Sequence, residues 1–367
     1  MILKKKEREK KQIQEEITEP TMLLTEEGYL NRPGWCRKNL FIYNREDISA
    51  PKIRIKEWDF YQVTDGRYLI QLTVGNISVG AGATVLIKDM KEGGKILLNT
   101  GLIHVLTMHR DQLPRNAQEP CRIEMKSKVP GLFYMFFDFD GKVRHLSAKG
   151  TALYPFLKRF NIDLNLHVMD DLESITIAIP WKKKEERGRY KDHFFLTDKI
   201  NSMPTDGFFK VGGSKVELTK DKAIGVLDWG RGVWRYDINW FWGNGGGYLP
   251  DGNLFGYEVT YGFGDDSDAT ETCIFYNGKA HKIGRVEIDY DRKDPLSRPW
   301  TFHEENGRFE MELVPEFNNK TNMDLLIICF KGDQVHGKMN GYMTLDDGRV
   351  IEVKDAQVFC EFFHNKW

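Results

Sequence analysis

Apolar residues recur at every second position through much of this chain, and this period of two constrains its fold more than any other feature. In residues 161–168, NIDLNLHV, aliphatic side chains alternate with Asn, Asp and His. The same alternation returns in residues 68–74, 257–263, 286–290 and 309–313. Because successive side chains of a β-strand point to opposite faces of the sheet, each segment is predicted to be a strand with one buried face.

Turn signals separate these segments at short intervals, whereas helical periodicity is scarce. Asp-Gly or Asn-Gly pairs begin at Asp65, Asp140, Asp206, Asp251, Asn277 and Asp347. Such pairs favour tight hairpin turns because Gly and Asn adopt positive φ at little cost. Many short antiparallel strands joined by tight turns predict an all-β protein of the sandwich or barrel type.

Two segments depart from the strand pattern and set the predicted domain organisation. Residues 1–27 contain mixed charges and helix formers up to Pro20, which predicts a short N-terminal helical arm. Turn-forming residues cluster near 200–206. They predict a boundary between a first β domain, residues 28–204, and a second β domain, residues 205–367.

Composition narrows the classes of partner and the cellular compartment. The 367 residues include 53 Lys and Arg against 54 Asp and Glu, so no overall field favours nucleic acid or an anionic membrane. We find no apolar run long enough for a transmembrane segment, and the basic N-terminus lacks the apolar stretch of a signal peptide. The five cysteines are far apart and lack zinc-ligand spacing, which favours reduced thiols in a cytoplasmic protein without a metal site.

Aromatic residues are concentrated in residues 228–243, DWGRGVWRYDINWFWG, which hold four of the nine tryptophans. From Trp234 onwards the segment alternates, which predicts a strand whose aromatic face comprises Trp234, Tyr236, Ile238, Trp240 and Trp242. The residues before it, from Asp228 to Gly232, contain two glycines and predict a turn. Aromatic rings beside an acid and a guanidinium are typical of a pocket for an apolar molecule with a polar end.

Several motifs of this chain resemble those of one protein family. They are DWGRGVW and WFWGNGGG within residues 228–247, EWDFY at residues 57–61, PWTF at residues 299–302 before Gly307-Arg308, VHG at residues 335–337 before Gly341 and Asp347-Gly348, and the final Asn365-Lys366-Trp367. From about residue 28 to Trp367 the chain resembles DUF2804, a family of unassigned function. That family is similar to the AttH and carotenoid 1,2-hydratase group, so the resemblance implies two lipocalin-like β-barrel domains. It also implies cofactor-free hydration, cyclisation or isomerisation of apolar polyenes or terpenoids, and it transfers no catalytic residue.

The candidate catalytic residues each have a structural alternative. Asp228, beside Trp229 and an apolar run, is a candidate general acid if it is desolvated and neutral. As an alternative, it pairs with Arg231 or Arg235, or accepts backbone N–H bonds in the Gly230/Gly232 turn. His281 is a candidate acid–base partner, and a surface histidine is its alternative.

The candidate ligand-binding residues are Trp229, Arg231, Trp234, Arg235, Tyr236, Trp240 and Trp242. The two arginines would bind a carboxylate or phosphate of the ligand, or pair with Asp228 and Asp237. The aromatic side chains would line a cavity, or fill the interior of a barrel.

Three functional classes follow from these residues. The first is binding of an apolar or amphipathic small molecule, with or without cofactor-free acid catalysis. The second is a carbohydrate-binding or glycan-processing protein, for which Asp228 and Asp237 are the available pair of carboxylates. The third is an interaction scaffold without a ligand, in which the tryptophans are ordinary core residues.

Overall fold

The computed structural model describes residues 14–105, 107, 113–152, 157–182, 188, 191–325 and 328–366. Its first short strands are β1 (Thr21–Met22), β2 (Gly34–Cys36) and β3 (Phe41–Ile42), and three 3₁₀ turns occur at Arg45–Asp47, Lys52–Arg54 and Met90–Glu92. Strands β1 and β3 pair in a separate two-stranded parallel sheet. The first large sheet comprises β2 with β4 (Ile55–Thr64), β5 (Tyr68–Asn76), β6 (Gly80–Asp89), β7 (Lys95–Val105), β8 (Cys121–Lys126), β9 (Phe133–Phe139), β10 (Val143–Ala152), β11 (Lys158–His167), β12 (Ile175–Pro180), β13 (Phe194–Val211) and β14 (Ser214–Val233). The second comprises β15 (Asp237–Tyr248), β16 (Leu254–Tyr261), β17 (Cys273–Tyr276), β18 (Lys279–Lys282), β19 (Val286–Asp289), β20 (Trp300–Glu304), β21 (Phe309–Leu325), β22 (Ile328–Thr344) and β23 (Val350–Lys366).

The first sheet curls into a nearly closed barrel. Its strands lie in the order β7-β6-β5-β4-β14-β13-β11-β10-β9-β8, and β12 and β2 extend the sheet from β13. The alternation seen in the sequence places one set of side chains inside, so Leu72, Leu164 and Leu166 are fully buried in the barrel core. The interior is filled by packed side chains, as expected for a barrel of this size.

The second sheet is a half-barrel with the order β18-β17-β16-β15-β23-β22-β21-β20-β19. Its concave face holds a second core that includes Tyr257, Trp300, Phe309 and Val335. An all-β chain with a barrel and a half-barrel confirms the predicted fold class, with two lipocalin-like domains.

The predicted helical arm is wrong for the part of it that the structure describes. Residues 14–27 contain no helix, and residues 1–13 lie outside the described residues. The amide of Ile17 donates to the Trp35 carbonyl at 2.7 Å, and the Trp35 amide donates to the Glu15 carbonyl at 3.0 Å. The backbone of this segment is therefore extended, because its hydrogen bonds go to β2 rather than to the next turn of a helix.

The turn-forming residues near 200–206 lie inside β13 rather than in a linker. The register of β13 against β14 shifts between Ile200 and Met203 and again between Thr205 and Gly207, and Ser202 has φ of 57°. The first shift is a β-bulge, and the second sets one residue of β13 against four of β14; neither ends the strand. The chain passes from the first sheet to the second at residues 234–236, so the predicted boundary at 204 falls within a strand of the barrel.

The outer face of the barrel packs against the half-barrel through β13, β14, β15 and β16. An apolar cluster fills one part of this interface, with Trp35, Ile177, Trp181 and Phe195 from the first sheet and Trp234, Ile238 and Phe275 from the second part of the chain. The described part of the chain contains no helix with the length and hydropathy of a membrane span.

Candidate functional site

The segment from Asp228 to Val233 belongs to strand β14, so the predicted turn is wrong. Its backbone pairs on both sides, with β13 and with β4, and this pairing holds it extended. Because alternate side chains of a strand point in opposite directions, the segment is divided between two environments. Trp229, Arg231 and Val233 face the interior of the barrel, whereas Asp228 faces the half-barrel.

Arg231 is a fully buried structural residue inside the barrel. Its Nη2 lies 2.8 Å from Asp59 Oδ1, and its other N–H groups donate to the carbonyls of Trp58 and Pro114. The guanidinium also lies 4.1 Å from the centre of the Trp229 ring. These contacts occupy the side chain, so Arg231 does not pair with Asp228 and is not placed to hold a ligand.

Asp228 is ion-paired with Lys199, a residue of β13 that we did not single out from the sequence. The Lys199 Nζ lies 2.7 Å from Asp228 Oδ1, 3.7 Å from Glu271 Oε1 and 4.4 Å from the centre of the Trp242 ring. Burial opposes the charge of Lys199, but the carboxylates of Asp228 and Glu271 outweigh burial and raise the pKa of this ammonium. Asp228 is therefore the ion-pair partner of a buried lysine, which supports a structural role for this side chain.

Glu258 lies in the same interface and is a better candidate for a neutral acid. Its carboxyl accepts hydrogen bonds from Trp242 Nε1 at 2.6 Å, from Asn201 Nδ2 at 3.0 Å and from Asn244 Nδ2. Burial, with repulsion from Glu271 and Asp228, raises the pKa of Glu258 to about 8, although Lys199 and Trp242 favour its ionised form.

Two further buried carboxyl groups share this interface. Burial raises the pKa of Glu271, which accepts a hydrogen bond from the Thr197 hydroxyl. Burial also raises the pKa of Glu361 to about 7, and Gln334 donates to Glu361 at 2.8 Å. We call Lys199, Asp228, Glu258, Glu271 and Glu361 the interface cluster. Four carboxyl groups around one ammonium cannot all ionise cheaply away from water.

Trp234 and Trp242 fill packed regions between the two sheets. Trp234 is buried against Trp58, Trp181 and Phe195, with ring centres 5.1, 5.4 and 5.6 Å apart. Trp242 is enclosed by rings from both sheets, those of Phe60 and Phe359. For these two tryptophans the structure supports the core alternative.

The predicted aromatic face begins later than the sequence suggested. Strand β15 starts at Asp237, so Trp234, Arg235 and Tyr236 lie in the connection between the sheets. Tyr236 is exposed, and Arg235 lines a polar pocket of about 480 Å³ with Trp181 and Asp237. Neither residue joins the interface cluster.

The structure separates the remaining candidates. Asp237 is at the surface, where His364 and Lys366 lie 2.8 and 3.2 Å from its carboxylate, so it does not face the buried Asp228. His281 Nδ1 lies 3.1 Å from Asp346 Oδ2, away from the interface cluster. The acid pair expected for sugar hydrolysis is therefore not assembled.

Trp240 borders an open aromatic pocket, which we call the Trp240 pocket. The ring of Trp240 lies on the opposite face of the sheet, packed against Phe263 and the apolar cluster between the sheets. The rings on the pocket's face are those of Phe241, Tyr261, Tyr290 and Phe362. The pocket has a volume of about 400 Å³ and lies at the start of β15, beside β22 and β23. Its aromatic lining is Trp240, Phe241, Tyr261, Tyr290, Phe362 and Phe363, and its polar lining includes Asn239, Arg292, Lys331, Asp333 and His364. Trp240 and Phe363 stack with ring centres 5.1 Å apart.

Sequence reasoning missed most residues of these two sites. Lys199 carried little signal, because five of the ten residues from Phe194 to Met203 are polar. Glu258 occupies a polar position of the alternating segment YEVTYGF, where the pattern predicts an exposed side chain. Arg292 and Phe362 gave none, because their proximity to Trp240 arises only when distant strands pair.

No group of His, Cys, Asp or Glu in the described ranges is arranged to hold a metal ion. The cysteines are free thiols, and four of the five are buried.

The fold and these sites define an all-β protein in which a nearly closed barrel and a half-barrel share a buried polar interface. The chain belongs to the family described as a domain of unknown function, DUF2804, whose model matches residues 14–367. No curated protein matches the sequence.

Two solved structures are similar to this chain. A candidate AttH protein of Nitrosomonas europaea is 10% identical, with 87% of this chain and 95% of that chain covered and a TM-score of 0.46. Kievitone hydratase from Nectria haematococca is 11% identical, with 94% of this chain and 98% of that chain covered and a TM-score of 0.44.

Proposed function

We propose that the protein binds an apolar or amphipathic small molecule in the Trp240 pocket. The observation that carries this proposal is the pocket's aromatic lining, which comes from four separate parts of the chain and surrounds about 400 Å³ of open space. This volume lies within the range of about 300–1,000 Å³ that is usual for small-molecule sites.

The aromatic rings of this pocket differ from the other tryptophans in being partly open to solvent. Tyr261, Tyr290 and Phe362 are only half-buried, whereas Trp229, Trp234 and Trp242 are buried in packed regions. A ligand that covers the half-buried rings removes apolar surface from water and gains stacking contacts. The same gain is not available at the packed tryptophans.

Acid catalysis without a cofactor is the second candidate function, and Glu258 is the residue that favours it. A carboxyl group with a pKa of about 8 keeps its proton at neutral pH and is a suitable general acid for hydration, isomerisation or cyclisation. Glu258 is enclosed between the sheets, so this candidate requires the ligand to enter the interface beside Trp242. Turnover of a bound ligand that is lost in Glu258→Gln, with binding retained, would support it.

The binding proposal is tested by native mass spectrometry of the purified protein, followed by titration of intrinsic tryptophan fluorescence with apolar and amphipathic ligands. We expect Phe362→Ala to weaken binding about tenfold, because it removes one aromatic surface of the pocket. Tyr236→Ala is the matched control, since Tyr236 is also aromatic, is exposed and is outside the pocket. A bare-chain mass with no fluorescence response, or equal binding by Phe362→Ala, would contradict the proposal.

A further inference from the structure

One wall of the Trp240 pocket carries cationic side chains. Arg292 lies in the loop between β19 and β20, and its guanidinium is next to the hydroxyl of Tyr290. Lys331 of β22 lies on the same wall, where Asp333 is the one carboxylate among the described lining residues. The wall therefore has a small excess of positive charge.

The other ionisable side chains of this wall already have partners outside it. Lys331 is 2.6 Å from Asp324, His364 is 2.8 Å from Asp237, and Asp333 is 3.8 Å from Lys320.

Arg292 differs from these groups because no carboxylate of the described residues lies within ion-pair distance of it. The carboxylate of the preceding residue, Asp291, accepts the backbone amides of Lys293 and Asp294 and so faces into its own loop. Arg298, the other arginine of this loop, is paired with Asp289 at 2.7 Å. The Arg292 guanidinium is exposed, at the mouth of the pocket.

We infer that the ligand of the Trp240 pocket is an amphipathic anion whose carboxylate or sulfonate is bound by Arg292 at the pocket mouth. This inference rests on the proposed function, because it names the ligand class for the same pocket. A guanidinium presents parallel N–H donors that match the two oxygens of a carboxylate. The apolar part of the ligand would then extend inward over Tyr290, Phe362 and Phe241, whose rings lie on the same face of the sheet as Arg292.

The inference also gives the ligand a direction. The charged end stays near water, where a guanidinium and an anion keep part of their hydration. The apolar end covers the half-buried rings, where an anion would be disfavoured by desolvation. A neutral molecule of the same shape would keep the apolar contacts but lose the pairing with Arg292, and a cation would be repelled.

A matched series of ligands tests the inference: dodecanoate, dodecanol and dodecyltrimethylammonium, each titrated below micelle formation at neutral pH. We expect dodecanoate to bind about five- to tenfold more tightly than dodecanol, as is usual for one charge-assisted contact at an exposed site. Arg292→Ala should remove this preference and leave dodecanol binding unchanged. The preference should also shrink as salt is added.

Lys293→Ala is the matched control, because it removes a neighbouring exposed cation that does not line the pocket. This variant should keep the preference for dodecanoate. Equal affinity for the acid and the alcohol, or a preference that survives in Arg292→Ala, would overturn the inference while leaving the binding proposal intact. If none of the three ligands binds, the binding proposal itself fails and the inference falls with it.

Discussion

Adjacent residues of the tryptophan-rich segment have different roles because neighbouring side chains of a strand point to opposite faces. Trp229 and Arg231 complete the barrel core, whereas Asp228 belongs to the interface cluster. Gly230 lies between Trp229 and Arg231 in the sequence, and its Cα is directed at the ring of Trp58. This ring occupies the space that a side chain at position 230 would need. The absence of a side chain at position 230 is therefore what allows Trp58 to pack in the interface.

Substitution of Gly230 by alanine tests this role. A Cβ at position 230 would lie 1.9 Å from Trp58 Cζ2, so the indole would have to leave its place beside Trp234 and Phe195. We expect Gly230→Ala to lower the free energy of unfolding by roughly 2–4 kcal/mol, as overpacking in a core does. Urea denaturation measures this change.

Gly213→Ala is the control for this substitution, since a Cβ there would meet no atom within 4 Å. Its free energy of unfolding should stay within about 0.5 kcal/mol of the unaltered protein. Equal stability of the two variants would contradict the packing role of Gly230.

At the level of secondary-structure elements, four strands bring the residues of the interface cluster together. Lys199 comes from β13, Asp228 from β14, Glu258 from β16 and Glu361 from β23, while Glu271 precedes β17. Each strand contributes polar groups to a face that is otherwise apolar. Burial of these groups together is favourable only when some of the carboxyl groups keep their protons. The free energy of packing these strands together therefore depends on pH.

Glu258 sets the direction of this pH dependence. Its pKa is about 8 in the folded protein, above its ordinary value of 4.5, because of burial and the nearby Glu271 and Asp228. Between these two pH values the folded state binds more protons than the unfolded chain, so the free energy of unfolding falls as pH rises. The contribution of the protonated Glu258 to the free energy of unfolding is fully present below about pH 4.5. It is lost as pH rises through about 8.

The free energy of unfolding should therefore fall between about pH 5 and pH 8 in the unaltered protein. In Glu258→Gln the fall should be smaller by on the order of 3 kcal/mol. Gln keeps the Oε1 acceptor of Asn201 and Asn244 but replaces Oε2, the acceptor of Trp242 Nε1, with an amide N–H group. This loss lowers the stability of the variant by the same amount at every pH, so the slopes of the two profiles can still be compared. Urea unfolding at a series of pH values measures the difference. Glu312→Gln, at an exposed position of β21, should follow the unaltered protein. Identical pH profiles for Glu258→Gln and Glu312→Gln would refute the assignment.

The whole molecule is held together by contacts between the barrel and the half-barrel. The apolar cluster around Trp234 takes side chains from both, and the pair of Lys199 with Glu271 crosses the same interface. The two sheets also share continuous chain, because β14 leads into β15 after three residues, Trp234 to Tyr236. We therefore expect the barrel and the half-barrel to unfold together.

Trp234→Ala tests this expectation. The substitution removes a buried indole from the shared cluster and should lower the free energy of unfolding by about 3–5 kcal/mol. Far-UV circular dichroism and tryptophan fluorescence should follow one transition, shifted by the same amount. Tyr236→Ala, two residues away and exposed, should leave the midpoint unchanged. Separate transitions for the two probes would mean that the two sheets unfold independently.

The strands were predictable from sequence because their signal is local. Residues 161–168 alternate in the sequence and form most of β11, and the Asn277-Gly278 pair forms the turn between β17 and β18. The same local reasoning failed for residues 228–233, where glycines suggested a turn. Pairing with β13 and β4 keeps this segment extended. Although β13 precedes β14 directly, the residues that pair with this segment, Phe195 to Lys199, lie at the far end of β13.

The sequence by itself determined that this chain is all-β, because the period of two and the turn residues depend on near neighbours alone. It also pointed to the segment that borders both sites. Only the tertiary structure decided that Asp228 pairs with Lys199, that Trp234 is core and that Phe362 and Arg292 line one pocket. These outcomes depend on which distant strands meet and which face each one buries. Contacts between residues far apart in the chain leave no periodic trace in a single sequence.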